Sequence, residues 1–151
     1  MANVFAALLT SAGLLAGAQS RPAAEEKVAL ESLPPAVQRA VKAQSPGGKL
    51  LGVAKEVQDG VTVYEVETTL RGRRRDMIVD GQGKVLILEE ETALSDIPPA
   101  ARAAIQKAVG DGRLVLVEKV TKGETAFYEG HITKGSNVLE VKVDANGKPV
   151  E

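Results

Sequence analysis

The sequence contains no cysteine, no tryptophan, one histidine, two tyrosines and two phenylalanines. Without cysteine there is no disulfide framework, no thiol nucleophile, no thiolate metal site and no lipid-modified cysteine. One histidine leaves a zinc site without its usual partners and a serine nucleophile with a single candidate base. No Gly-x-Ser-x-Gly elbow, phosphate loop or dinucleotide fingerprint is present. The formal net charge is -1 and the pI about 5.9, so no global field attracts nucleic acid or an anionic membrane. Basic residues are not interleaved with exposed aromatics, which removes the usual single-strand stacking platform. No cofactor and no enzymatic activity are expected. With so few aromatics, the core has to be built from Val, Leu, Ile and Ala.

What is present is a phrase stated twice. Tyr64-Glu65-Val66-Glu67 is followed by Met77-Ile78-Val79-Asp80-Gly81-Gln82-Gly83-Lys84. Tyr128-Glu129-Gly130-His131 is followed by Val141-Lys142-Val143-Asp144-Ala145-Asn146-Gly147-Lys148. An offset of 64 positions superposes Tyr, Glu, Asp, Gly and Lys, and self-similarity at a fixed period signals repeated supersecondary units. A chain of 151 residues fits one compact domain or two small ones.

The N-terminal stretch 2–18 is uncharged and apolar and ends in Ala16-Gly17-Ala18. It is too short for a comfortable membrane span and carries a small-x-small cleavage pattern, so 1–18 is read as a signal peptide. Export to the periplasm or exterior follows, with no stable membrane anchor. Residues 19–31 read as a linker.

Two units then follow, 32–94 and 95–151. Each opens on a proline pair, Ser32-Leu33-Pro34-Pro35 and Asp96-Ile97-Pro98-Pro99. Ser32 is placed to cap the first helix, since proline is tolerated in a first turn. Val37 and Val41 form its apolar stripe, and Ser45-Pro46-Gly47-Gly48 ends it. Strands are expected at 49–57, 61–70, 73–80 and 84–89, and again at 113–121, 125–133 and 138–144 with a Pro149-Val150 tail. Asp59-Gly60 and Arg71-Gly72 supply hairpin turns. Pairing about Arg71-Gly72 sets Val66 opposite Met77 and Tyr64 opposite Val79, on the face given to the helix. The fold class is therefore α+β: two tandem α-β-β-β-β repeats, each an antiparallel sheet with its helix on one face.

Pro-Pro-Ala, a short helix, a Lys-containing strand, Tyr-Glu and Asp-x-x-Gly-Lys recur in this order in both units. This spelling resembles the PepSY-like domains, a family similar to β-lactamase inhibitor proteins, from about Leu33 to Glu151. The resemblance implies a helix on a four-stranded antiparallel sheet per repeat, an exported protein, and protein binding or peptidase inhibition. The second copy departs from the first in Gly130-His131, which stands where the first has Val66-Glu67.

The opposite sheet face carries Val63, Glu65, Glu67, Ile78, Phe127, Glu129 and His131. Its mixed apolar and charged pattern makes it the expected contact surface for a protein or peptide partner. Arg71, Arg73, Arg74 and Arg75 form the sharpest charge cluster, readable as an anion contact or as a solvated hairpin tip offset by Glu67 and Asp76. His131 and Glu129 share a face but need a third group to hold a metal, so no metal site is assigned and His131 is read as an exposed strand residue. Asp80-Gly81-Gln82-Gly83 and Asp144-Ala145-Asn146-Gly147 resemble pieces of calcium loops but lack the later acidic ligands; turns account for them. The reading is an exported, non-enzymatic binding module, with an inhibitor or protein-interaction role. The alternative is a small-ligand or divalent-metal sensing domain.

Overall fold

The computed structural model describes residues 26–58 and 60–150. The expected signal peptide and Asp59 of the first hairpin lie outside the described residues. The strands are β1 (Glu26–Lys27), β2 (Lys49–Gln58), β3 (Val61–Leu70), β4 (Arg73–Asp80), β5 (Val85–Glu91), β6 (Arg113–Lys122), β7 (Thr125–Lys134) and β8 (Asn137–Val143). The helices are α1 (Pro35–Gln44) and α2 (Pro99–Val109).

All eight strands form one antiparallel sheet in sequence order. This corrects the expectation of two tandem α-β-β-β-β repeats. β5 pairs with β6 from Ile87↔Lys122 to Glu91↔Glu118, so the halves share a ladder instead of standing as separate sheets. After β6, the described residues of the second half contribute β7 and β8, and the expected tail is a Val143↔Pro149 bridge. Proline has no N–H to donate, which limits a ladder there. Within the stretch read as a linker, Glu26 and Lys27 pair with Lys55 and Ala54 at the sheet edge.

The central register follows the turn chemistry. Val66 pairs with Met77 and Tyr64 with Val79. On that face, Leu33, Val37 and Val41 pack with Val53, Tyr64, Val66, Met77 and Val79. Ile97, Ala101 and Ile105 pack with Val117 and Val143 in a second cluster. Both helices thus cover the same side of the sheet. Burying each large aliphatic side chain contributes about 1.5–3 kcal/mol, and Val37, Ile105 and Met77 are fully enclosed.

Helix entry differs from expectation. Pro34, not Ser32, is the N-cap of α1, and no side chain caps it. Ser32 instead closes a 3-10 turn over Leu30–Ser32 and donates its hydroxyl to the Ala29 carbonyl at 2.6 Å. At the other end, the Ser45 and Thr68 hydroxyls meet at 2.9 Å and tie α1 to β3. The two Asp-x-x-Gly turns are built alike. The Asp80 and Asp144 carboxylates each accept two backbone N–H bonds, from Gln82 and Lys84 and from Asn146 and Lys148. Gly83 and Gly147 have φ of 85° and 75°, and a Cβ at either would lie 2.6 Å from the Ala36 or Ala100 carbonyl oxygen. Only glycine combines that dihedral with such close approach to a helix. No described helix is long and apolar enough to cross a membrane.

Candidate functional site

The helix-free face is where polar side chains concentrate. Strand alternation places Glu65 and Glu67 of β3, Asp76 of β4, Glu89 of β5, Glu118 of β6, Glu129 and His131 of β7, and Glu140 and Lys142 of β8 on it. Several of these groups are enclosed. Asp76, Glu89, Glu118, Glu129 and His131 are each less than 5% exposed. Val63, Ile78 and Phe127 are buried as well. Five of the seven expected contact residues therefore lie inside the face, and only Glu65 and Glu67 keep partial exposure. Cross-strand neighbours sit about 5 Å apart, so long side chains shield one another.

One part of the face is centred on Arg74. Its guanidinium lies 3.0 Å from Asp76 and 3.6 Å from Glu67. Asp76 also accepts the Thr68 backbone N–H at 3.0 Å. Burial nevertheless raises the Asp76 carboxyl to about 6, against the opposing pull of Arg74. Glu89, directly opposite Asp76 on β5, is pushed up to about 9 by burial and by the charges of Glu118, Glu129, Asp76 and Glu65. Its Oε1 is buried without a hydrogen-bond partner.

The other part is centred on His131. Its Nε2 lies 2.9 Å from Glu118 Oε2 and 3.8 Å from Glu129 Oε2. Its Nδ1 lies 3.7 Å from Glu140 Oε1. Lys142 Nζ approaches Glu129 Oε1 at 3.2 Å and Glu140 Oε2 at 3.9 Å. Burial raises the Glu129 carboxyl, opposed by Lys142. Burial alone would lower His131, but the hydrogen bond and charge of Glu118, with Glu140 and Glu129, outweigh it and the imidazole is raised. His131 is thus an enclosed, charge-surrounded group, not an exposed strand residue.

Sequence reasoning paired His131 with Glu129 and missed Glu118. The available signal was the Lys122-Gly123-Glu124 hairpin: counting back along both strands sets Glu118 opposite Glu129. Glu140 and Lys142 follow from the next hairpin, which sets them opposite His131 and Glu129.

The arginine cluster disperses over both faces. Arg74 turns to Asp76, while Arg75, on the helix side, bonds Glu90 and Gln44. Arg73 lies 3.9 Å from Asp96. Arg71 sits at the exposed turn with φ of 54°. The backbone N–H bonds to Asp80 and Asp144 make those carboxylates elements of turns.

At the β1 end of the sheet is a cleft of about 290 Å³, bounded by Lys27, Leu51, Gly52, Ala54, Glu65 and Glu67. It contains the two expected contact residues that retain exposure.

The fold is similar to that of solved BLIP-like and DUF2874-family proteins. A periplasmic-type protein of Bacteroides eggerthii superposes with a TM-score of 0.63 at 18% identity, covering 79% of this chain and 86% of that one. A BLIP-like protein of Bacteroides fragilis gives 0.58 at 19% identity, covering 79% and 84%. A DUF2874-family protein of Bacteroides uniformis gives 0.61 at 19% identity, covering 78% and 86%. The likeness is one of fold. No family model matches the sequence, and no curated protein matches it.

Proposed function

We propose that this chain is an exported, non-enzymatic binding protein whose helix-free sheet face receives a protein or peptide partner. The carrying observation is the cleft beside β1, because it joins partly exposed acidic residues of that face to the apolar Leu51 and Ala54. Mixed lining of this kind suits an extended segment with apolar and basic side chains. The apolar, uncharged stretch 2–18 with its Ala16-Gly17-Ala18 ending supports export, as does a fold shared with proteins described as periplasmic. A fold shared with a BLIP-like protein supports a partner that is itself a protein, and an inhibitory role toward a hydrolase such as a peptidase or β-lactamase is the finer form of this reading. Buried Phe127, Ile78 and Val63 would shape the face from beneath, with the contact made by Glu65, Glu67 and the cleft rim.

The test compares wild type with the variants Glu67→Lys and Leu51→Asp, and with the remote α2 variant Lys107→Glu, in affinity capture from an exported fraction. Purified peptidases and β-lactamases are then assayed with added protein. A partner held by wild type and Lys107→Glu but lost by both cleft variants supports the reading. Equal capture by all four proteins overturns the site, and no specific capture overturns the function.

A further inference from the structure

Glu118, Glu129 and His131 each offer one ligand atom, and these atoms lie within 4.8 Å of one another. All three residues are more than nine-tenths buried. Acidic clusters are common, and this one would carry little by proximity alone. The added observation is Glu129: its side chain is wholly enclosed, Lys142 engages its Oε1, and its Oε2 faces His131 Nε2 without any hydrogen bond. A buried carboxylate oxygen with no donor is destabilising unless something positive meets it.

We propose that Glu118 Oε2, Glu129 Oε2 and His131 Nε2 hold a divalent first-row transition-metal cation of the zinc class. The geometry suits it. Zinc bonds to nitrogen and carboxylate oxygen are about 2.0–2.1 Å, which puts tetrahedral ligand atoms about 3.4 Å apart. The 2.9 Å and 3.8 Å separations from His131 Nε2 bracket that value, and the Glu118 and Glu129 ligand oxygens, within 4.8 Å of each other, have to draw to a similar spacing to complete the site. The surroundings suit it as well. His131 Nδ1 is buried without a hydrogen bond and faces Glu140 Oε1 at 3.7 Å. A carboxylate that closes on Nδ1 to hydrogen-bond distance would fix the tautomer that presents Nε2 to a metal. Lys142 occupies the second oxygen of Glu129 and leaves Oε2 as a single ligand atom.

The donor set selects the cation class. Calcium takes six to eight oxygens, and two carboxylates with one imidazole do not provide them. Imidazole nitrogen with carboxylate oxygen matches zinc, manganese or iron(II). With His131 neutral as a ligand, a divalent charge also offsets the excess of Glu118, Glu129 and Glu140 over Lys142. This site is separate from the cleft at β1 and stands or falls apart from the partner reading.

The experiment uses the full chain, stripped with chelator and dialysed at pH 7.5. Zinc chloride is titrated into wild type, Glu129→Gln, His131→Gln and the turn control Asp144→Asn, followed by calorimetry and thermal unfolding. Manganese and calcium chloride serve as parallel arms. The expected result is saturable uptake of one zinc per chain, with a raised Tm, in wild type and Asp144→Asn. Affinity should fall at least tenfold in Glu129→Gln and His131→Gln. Should a variant fail to fold, the wild-type His131 ring resonances provide the reading, because zinc has to shift them at one equivalent. No stoichiometric uptake by wild type, equal uptake by all four proteins, or a response to calcium alone would each overturn the proposal.

Discussion

Replacing Gly130 by valine should test the packing logic of the second half. A Cβ at Gly130 would lie 2.7 Å from Ile105 Cγ2, about 1 Å inside ordinary carbon contact. The first half solves the same position differently, with Val66 at the strand and Val41 on the helix, both buried in one cluster. The second half spends that volume on the helix, through fully enclosed Ile105. Gly130→Val should therefore overpack and cost about 1–3 kcal/mol. Ile105→Ala removes the Cγ2 that a side chain at position 130 would meet and should cost about 2–5 kcal/mol. The double variant moves side-chain volume from the helix to the strand, as the first half does with Val66. Its loss should be smaller than the sum of the single losses by at least about 1 kcal/mol. The higher strand propensity of valine over glycine appears in both single and double variants and cancels from the cycle. Urea unfolding of the four proteins measures each term, provided the m-values stay constant. Losses additive to within about 0.5 kcal/mol would refute the idea that the two positions share one volume.

Other predictions concern the core and the charged face. Tyr64→Ala, at a buried position, should cost about 3–5 kcal/mol, and Tyr128→Ala, half-buried, clearly less; equal losses in chemical denaturation would contradict the burial of the two rings. Asp76, raised from 3.8 to about 6, contributes stability that is fully present below about pH 4 and lost as pH rises through about 6. The slope is at most about 1.4 kcal/mol per pH unit, and the difference between wild type and Asp76→Asn, measured from pH 4 to 7.5, should show it. A difference independent of pH would mean the carboxyl is not raised. Glu89, raised to about 9, follows the same sign: its contribution declines as pH climbs from about 4.5. In chelator, Glu89→Gln should be more stable than wild type at pH 8, with the gap closing toward pH 5; thermal unfolding at both values decides it.

Much of the local structure was legible in the chain. The strands at Val61–Leu70 and Arg73–Asp80 and their register followed from alternation and from the Arg71-Gly72 turn. The Asp-x-x-Gly turns followed from side chains that bond their own backbone. The helices followed from proline pairs and four-residue apolar spacing. The cap of α1 was misread because Ser32 found a nearer acceptor in its own 3-10 turn. The burial of Val63, Ile78, Phe127, Glu129 and His131 was not legible, because alternation assigns a residue to a face without saying how crowded that face becomes.

The sequence by itself determined which residues pair across each hairpin and which share a sheet face, because those relations depend on turns and on a period of two residues. Only the tertiary structure decided that the halves join in one sheet. β5 and β6 are separated by a whole helix, and no local turn signal encodes their pairing. Tertiary structure also decided that Glu118, Glu129 and His131 are enclosed together. A charge in an exposed strand costs little, whereas the same charge inside a sheet face needs a partner, and the enclosure depends on every strand that surrounds it.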